Sequence, residues 1–180
     1  MGEKPVHGGR DRVEQDSVFQ PFQPPREDCK RGLRNAVAGT IPALRYNLVD
    51  NVLEQAPDRI RTTKQVTAAE EYLADHFPGF PILPGVLMLE ALVQAARVML
   101  ADTADETLVL GGVKALKYGA MVKPGEALNV EVTLVKGPDA SGAYSCKGTG
   151  TVSGGSLDGE TAVSGRFTMR PIRTGTSAGG

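Results

Sequence analysis

A long apolar segment near the middle of the chain constrains the fold most. It opens at Pro84-Gly85 and runs to Ala101, with apolar or small residues on almost every side of the expected helix. Because proline fixes φ and moves the preceding residue out of the helical region, a helix of about 16 residues is expected to begin at Gly85. A helix that is apolar nearly all round must be covered on most of its surface. The rest of the chain is therefore expected to wrap around it.

Strands predicted on both sides of this segment would form the layer that covers the helix. Two strand-like runs are joined at Ala56-Pro57-Asp58, which predicts a hairpin, and a further apolar run spans 108–116. Apolar and polar residues then alternate in two runs that each have one face suited to water. The inward sets are Leu128, Val130, Val132 and Leu134, and Val163, Gly165, Phe167 and Met169. The pattern predicts an α+β fold in which five or six strands, mostly antiparallel, wrap around one long central helix.

The length of 180 residues suits one domain with tails. Residues 1–36 are polar and broken by glycine and proline, which predicts a mobile or loosely docked extension. Phe19 and Phe22 give this extension something to bury, so a lid is the alternative. The single domain is expected over residues 37–172, followed by a flexible tail at 173–180.

Composition and charge argue against several classes of function. A formal net charge of -1 provides no basic field for nucleic acid. The two cysteines, Cys29 and Cys146, stand in different contexts, which supports neither a disulfide framework nor a paired-cysteine metal site and favours a reducing cytoplasm. The longest apolar run is interrupted by three polar residues and is shorter than the roughly 20 residues that span a bilayer. The N-terminus has no apolar run that would serve as a signal sequence. A protein that binds neither membrane nor nucleic acid is expected.

Three polar residues interrupt the apolar helix at positions i, i+4 and i+7, namely Glu90, Gln94 and Arg97. They fall on one narrow stripe, and the simplest interpretation is the solvated edge of a core helix. The helix start favours a second interpretation. Its first N–H groups lack internal partners and carry the positive end of the dipole, so they suit a carbonyl oxygen that gains negative charge. Gly85 would let a ligand come close, and Glu90, about 7–8 Å further along the axis, has apolar sequence neighbours that predict a buried, protonated carboxyl.

His76 stands at the mouth of the proline-rich loop that leads into this helix. An imidazole with an unperturbed pKa near 6.5 is largely neutral at working pH and can act as a base. A lone histidine is usually structural. Here a stiff loop, an open helix N-terminus and a carboxyl group accompany it within fifteen residues. That constellation is what an elimination beside a carbonyl requires.

The same stretch resembles a known family signature. The matching residues are His76-Phe77-Pro78-Gly79, Pro81, Pro84-Gly85-Val86-Leu87, Glu90-Ala91 and Gln94-Ala95-Ala96. They are similar to the signature of the β-hydroxyacyl-acyl-carrier-protein dehydratases of fatty-acid synthesis, which have the hot-dog fold. Weaker likeness extends over roughly residues 40–170.

The resemblance implies a function for each of four residues. His76 would remove the proton from the carbon next to a thioester, and Glu90 would protonate the departing β-hydroxyl, so that water and a trans-2-enoyl thioester result. The Gly85 N–H would polarise the thioester carbonyl, and Gln94 would help to fix the carboxyl. The resemblance also implies a carrier-protein-bound substrate, no metal or organic cofactor, and base and acid groups from different subunits of a homodimer or an assembly of dimers.

Departures from the family pattern concern substrate choice. Asp75 replaces a glycine before the histidine, Arg97 replaces a small residue after the double alanine, and the segment Arg45–Asp50 is two residues shorter than usual. None of these changes removes the acid or the base. They bear on tunnel length and on the surface that docks the carrier.

Two other functions fit the same residues less well. In a hot-dog acyl thioesterase, Glu90 would activate water against the thioester carbonyl. An acyl-thioester-binding regulator would keep the fold for ligand capture alone. The regulator would not need both His76 and Glu90, and the sequence contains no visible DNA-binding segment.

Overall fold

One antiparallel sheet and one long helix account for most of the described chain. The computed structural model describes Gly2 and residues 46–104 and 106–172. The elements given below lie in a compact unit that begins at Ile41. The predicted extension at 1–36 and the predicted tail at 173–180 fall outside the described residues, except for Gly2, and stay predictions.

The sheet contains six strands and the helical elements are few. The strands are β1 (Asn51–Gln55), β2 (Arg59–Gln65), β3 (Leu108–Tyr118), β4 (Ala127–Lys136), β5 (Tyr144–Ser153) and β6 (Thr161–Pro171). The helices are the four-residue α1 (Tyr72–Asp75) and the 16-residue α2 (Gly85–Leu100), with a 3-10 turn at Gly155–Leu157. The strand order is β1-β2-β4-β5-β6-β3, and every pair is antiparallel. The predicted α+β architecture and the predicted start of the helix at Gly85 are confirmed.

The hairpin predicted at Ala56-Pro57-Asp58 joins β1 to β2. The N–H of Ala56 donates to the carbonyl of Arg59 at 2.7 Å, which closes the turn. On β2 the alternation places Ile60, Thr62 and Lys64 inward, and all three are buried.

The long helix lies against the sheet and contacts β2 through β6. Its buried side chains include Met88, Ala91, Leu92, Val93, Ala95, Ala96, Met99 and Leu100. They meet the inward residues of the sheet, among them Leu128, Val132, Phe167 and Met169, which are at most 2% exposed. Each fully buried side chain of this size contributes roughly 1.5–3 kcal/mol of transfer free energy. The core therefore fixes the helix and, with it, the polar residues along its length.

Strand β5 approaches the helix more closely than a strand with larger side chains would allow. A Cβ at Gly148 would lie 3.0 Å from both Cδ atoms of Leu92, and a Cβ at Gly150 would lie 2.9 Å from Cδ1 of Leu128. The two glycines thus make room for leucines that fill the space between helix and sheet.

None of the helices in the described residues is long and apolar enough to cross a bilayer.

Candidate functional site

The loop from His76 to Leu83 is held by hydrogen bonds within its own backbone and by one to the segment between β3 and β4. The N–H of Ile82 donates to the His76 carbonyl at 2.9 Å, and Phe77 and Phe80 exchange two backbone hydrogen bonds of 3.1 and 2.9 Å. Leu83 N–H donates to the carbonyl of Val122 at 2.8 Å. The peptide bond between His76 and Phe77 is cis. The prolines indicate a stiff loop, and backbone hydrogen bonds hold it near His76 and at Leu83.

The His76 imidazole is held by one of its two nitrogens. Nδ1 lies 3.1 Å from the carbonyl oxygen of Ile82, and the ring stacks on Phe77 with centroids 4.3 Å apart. A carbonyl oxygen only accepts hydrogen bonds, so Nδ1 carries the hydrogen in this contact. In the neutral ring Nε2 then has a free lone pair. The arrangement suits a base that acts through Nε2.

The N-terminus of α2 is open. Pro84 is the N-cap residue and supplies no side-chain hydrogen bond, while its carbonyl accepts from Leu87 and Met88 at 2.9 and 3.1 Å. No described residue accepts a hydrogen bond from the Gly85 or Val86 N–H. Unpaired N–H groups at a helix start attract a carbonyl oxygen or an anion.

Gly85 also lies close to a side chain of the same chain. A Cβ on this residue would lie 2.9 Å from Cε1 and 3.1 Å from Cζ of Tyr118, the last residue of β3. The sequence predicts that glycine at this position admits a ligand. The structure adds a second reason, since the aromatic ring of Tyr118 occupies the space beside the helix start.

The Glu90 carboxyl is neither deeply buried nor surrounded by apolar groups. Its side chain is 34% exposed, and Oε1 accepts hydrogen bonds from Arg97 Nη1 at 3.1 Å and Gln94 Nε2 at 3.2 Å. The expectation of a buried carboxyl in apolar surroundings is corrected on this point. Residues adjacent in sequence point to other faces of a helix, whereas residues four and seven positions away share a face. The polar members of the stripe, and not the apolar sequence neighbours, therefore surround Glu90.

Gln94 connects this carboxyl to the segment that precedes β1. It is 5% exposed; its Oε1 accepts from the N–H of Leu48 at 2.9 Å, and its Nε2 donates to the carbonyl of Tyr46 at 3.0 Å. The predicted contact between Gln94 and Glu90 is present at 3.2 Å. The glutamine thus holds a backbone segment and a carboxyl at once.

The structure joins two of the four predicted site residues by a hydrogen bond and shows no such bond from His76 or Gly85 to the other predicted site residues. Glu90 and Gln94 are hydrogen-bonded, but His76 and Glu90 share no hydrogen bond or ion pair within the described ranges. The roles assigned to His76, Glu90, Gly85 and Gln94 stay predictions. Residues 46–104 and 106–172 contain no group of three or more His, Cys, Asp or Glu arranged to hold a metal ion.

Sequence reasoning missed a second polar cluster beside a cavity of about 820 Å³. Lys64, 8% exposed, pairs with Glu70 at 3.1 Å and Asp50 at 3.4 Å, and the Tyr72 hydroxyl donates to Glu70. Burial raises the pKa of the Tyr72 phenol, and the Glu70 carboxylate raises it further. None of the four predicted site residues lines this cavity. The signal for the cluster was the lysine at an inward position of β2.

Burial acts on Glu70 in the direction of a raised pKa, but hydrogen bonds oppose it. The donors are the Tyr72 hydroxyl, the Thr67 N–H and the Lys64 ammonium, and together they lower the pKa of Glu70. The cluster is thus an ion-pair network whose carboxylate is held in its charged form. It ties the segment before β1 to β2 and to the approach to α1.

Comparison with known proteins assigns the chain to a family. The family described as ApeI-like, ApeI dehydratase, matches residues 53–156, which is more than half of the chain. The chain belongs to the hot-dog dehydratase family. Two curated relatives are 3-hydroxyacyl-[acyl-carrier-protein] dehydratases named FabZ. The protein from Oenococcus oeni is 41% identical over 65% of this chain and 82% of its own length. The protein from Bacillus pumilus is 38% identical over 69% of this chain and 84% of its own length.

Solved structures share the fold at low sequence identity. The dehydratase heterocomplex ApeI:P from Xenorhabdus doucetiae aligns with a TM-score of 0.51 at 16% identity, over 69% of this chain and 98% of that chain. A sigma28-regulated virulence protein from Campylobacter jejuni aligns with a TM-score of 0.54 at 16% identity, over 74% and 92%. The predicted hot-dog fold is confirmed.

Proposed function

We propose that the protein dehydrates 3-hydroxyacyl thioesters carried on acyl carrier protein to trans-2-enoyl thioesters, in fatty-acid synthesis or a related acyl pathway. One observation carries the proposal within this family. His76 is held through Nδ1 and Glu90 through Oε1, so a base nitrogen and a carboxyl oxygen are left without partners among the described residues. An elimination of water needs one group of each kind.

In the proposed reaction, His76 acts as the base and Glu90 acts as the acid. Nε2 of His76 takes the proton from C2 of the acyl chain, and the electrons of that C–H bond form the C2–C3 double bond. The C3–O bond breaks as Glu90 gives its proton to the departing hydroxyl, which leaves as water. His76 ends protonated and Glu90 ends as the carboxylate, so one proton must return from His76 to Glu90 by way of solvent before the next turnover.

The start of α2 would stabilise the charge that develops during this step. Removing the C2 proton places negative charge on the thioester carbonyl oxygen. The unpaired N–H of Gly85, at the positive end of the helix dipole, is suited to donate a hydrogen bond to that oxygen. Such donors act without reorganisation, because the helix holds them in place before the substrate arrives.

We propose a homodimer, or an assembly of dimers, as the working unit. Strand β3 pairs with β6 on one side, and its other edge pairs with no strand among the described residues. Unpaired strand edges are suited to pairing with another chain. His76 and Glu90 share no hydrogen bond or ion pair in the described part of the chain, which supports a site that takes one group from each subunit. The cytoplasm is the proposed compartment, since the two cysteines of the sequence support no disulfide framework.

One assay tests the reaction. The protein is incubated with a 3-hydroxyacyl thioester on acyl carrier protein, and enoyl absorbance and free thiol are followed together. His76→Ala and Glu90→Gln are each expected to lower kcat by about a hundred- to ten-thousand-fold, because each removes one proton-transfer group. His7→Ala and Glu131→Gln serve as matched controls and should keep wild-type rates, since Glu131 lies exposed on the outer side of β4.

Mixing the two inactive variants tests the shared site. If the groups come from different subunits, a His76→Ala chain and a Glu90→Gln chain form one intact site per mixed dimer. Random exchange should restore about a quarter of the wild-type activity, because about half of the dimers are mixed and each keeps one of its two sites. Thiol release without enoyl formation would instead identify a thioesterase. Near-normal turnover of either single variant would remove that residue from the mechanism.

A further inference from the structure

Arg97 makes two directed contacts at the site, although the family pattern has a small residue at its position. Its Nη1 donates to Oε1 of Glu90 at 3.1 Å, and its Nε donates to the carbonyl of Leu108 at 3.0 Å. The side chain is 26% exposed. The guanidinium is planar with its donors in a fixed arrangement, so two contacts to separate acceptors indicate a defined conformation of this group.

The second contact gives the guanidinium a rigid support. Leu108 is the first residue of β3 and is 5% exposed. Its backbone is paired with Pro171 of β6, so the carbonyl that receives Nε belongs to the sheet. Arg97 therefore connects the Glu90 carboxyl on α2 to the edge strand of the sheet.

The contacts also distinguish the two oxygens of Glu90. Oε1 accepts from Arg97 and from Gln94, whereas Oε2 accepts no hydrogen bond from any described residue. An oxygen that already accepts two hydrogen bonds is a poor place for a proton, since the proton would face both donors. A proton on this carboxyl therefore resides on Oε2.

We propose that Arg97 is a positioning residue that, together with Gln94, holds Oε1 of Glu90 and so makes Oε2 the oxygen that delivers the proton to the leaving hydroxyl. This role rests on the proposed dehydration. Gln94 supplies one hydrogen bond to Oε1, and Arg97 supplies a second one that further restricts the orientation of the carboxyl. A misplacement of about 1 Å in a catalytic group costs roughly a hundredfold in rate.

The test compares variants of Arg97 with a matched arginine elsewhere. Arg97→Met keeps the apolar stem and removes both donors, Arg97→Lys keeps the charge, and Arg61→Met removes an exposed arginine that pairs with Glu54 and Glu131 on the outer side of β2. We expect Arg97→Met to lower kcat by about ten- to a hundredfold with KM within about twofold of wild type. The kcat of Arg97→Lys should be several-fold higher than that of Arg97→Met. The kcat and KM of Arg61→Met should equal those of the wild type. Thermal unfolding of each variant separates lost positioning from lost folding.

A second measurement works without turnover. Glutamate labelled with 13C in its side-chain carboxyl gives one resonance for Glu90, assigned by its loss in Glu90→Gln. Arg97→Met should shift this resonance, and Arg61→Met should leave it in place. An unshifted resonance, or a kcat for Arg97→Met within twofold of an active wild type, would overturn the role of Arg97. Absence of dehydration by the wild type would refute the proposed function, and the resonance would still decide whether Arg97 holds Glu90.

Discussion

Gln94 offers a direct test of how the fold supports the site. Replacing it by Met keeps a side chain of similar volume, so little cavity forms, but removes all three of its hydrogen bonds. The N–H of Leu48 would lose its acceptor in a buried position, since Leu48 is 2% exposed. A buried donor without a partner costs about 1–3 kcal/mol, and the lost bond to the Tyr46 carbonyl adds about 1 kcal/mol. The free energy of unfolding should therefore fall by about 2–4 kcal/mol.

Urea unfolding followed by far-UV circular dichroism measures this loss, since the chain contains no Trp as a fluorescent probe. For a protein of this size, the expected loss corresponds to a fall in Tm of about 4–16 °C. Gln55→Met is the matched control, because Gln55 is exposed and donates to α2 only through a 3.4 Å contact with the Val98 carbonyl. It should change stability by less than about 0.5 kcal/mol. If Gln94→Met lost less than 1 kcal/mol, the backbone before β1 would not depend on this side chain.

Two further predictions follow from ionisable groups away from the proposed site. In a Cys29→Ser background, Cys146 should resist a thiol reagent such as DTNB at pH 8 until the protein is unfolded, because burial raises the pKa of its thiol to about 11; rapid labelling of the native protein would contradict this. Glu70→Gln should destabilise the protein at pH 7, and the difference from wild type should shrink as pH falls below about 4, because the pKa of Glu70 is lowered in the folded state and its stabilisation is lost on protonation. Urea unfolding of both proteins at pH 7 and pH 3.5 measures the difference, and an equal difference at both values would show that the carboxylate charge is not involved.

The long helix and the hairpin could be predicted because their signals are local. Pro84 and Gly85 mark the helix start, and the structure begins α2 at Gly85. The turn at 56–58 separates two runs of strand-forming residues, and β1 and β2 pair across it. In both cases a few neighbouring residues determine the backbone, so one sequence suffices.

Strand β5 is harder to recognise from sequence because two of its central inward positions are glycines. The pattern reads Tyr144, Cys146, Gly148, Gly150 and Val152 on the buried face. Two glycines in the middle remove the apolar alternation that marks a half-buried strand. Their cause lies in other elements of the fold, since Leu92 of α2 and Leu128 of β4 occupy the space that a Cβ would need. A requirement set by tertiary contacts leaves no local signal except the glycines themselves.

The stripe on α2 shows the same limit at the site. Its spacing placed Glu90, Gln94 and Arg97 on one face, and the structure confirms that they are in contact. The spacing alone favoured a solvated edge, yet Gln94 is 5% exposed, because the backbone at Tyr46 and Leu48 covers it. Helix periodicity predicts which side chains meet along the helix, but the groups that cover them come from distant parts of the chain. The Leu108 carbonyl that accepts from Arg97 also comes from another element, the strand β3. This contact supports the guanidinium that donates to the Glu90 carboxyl.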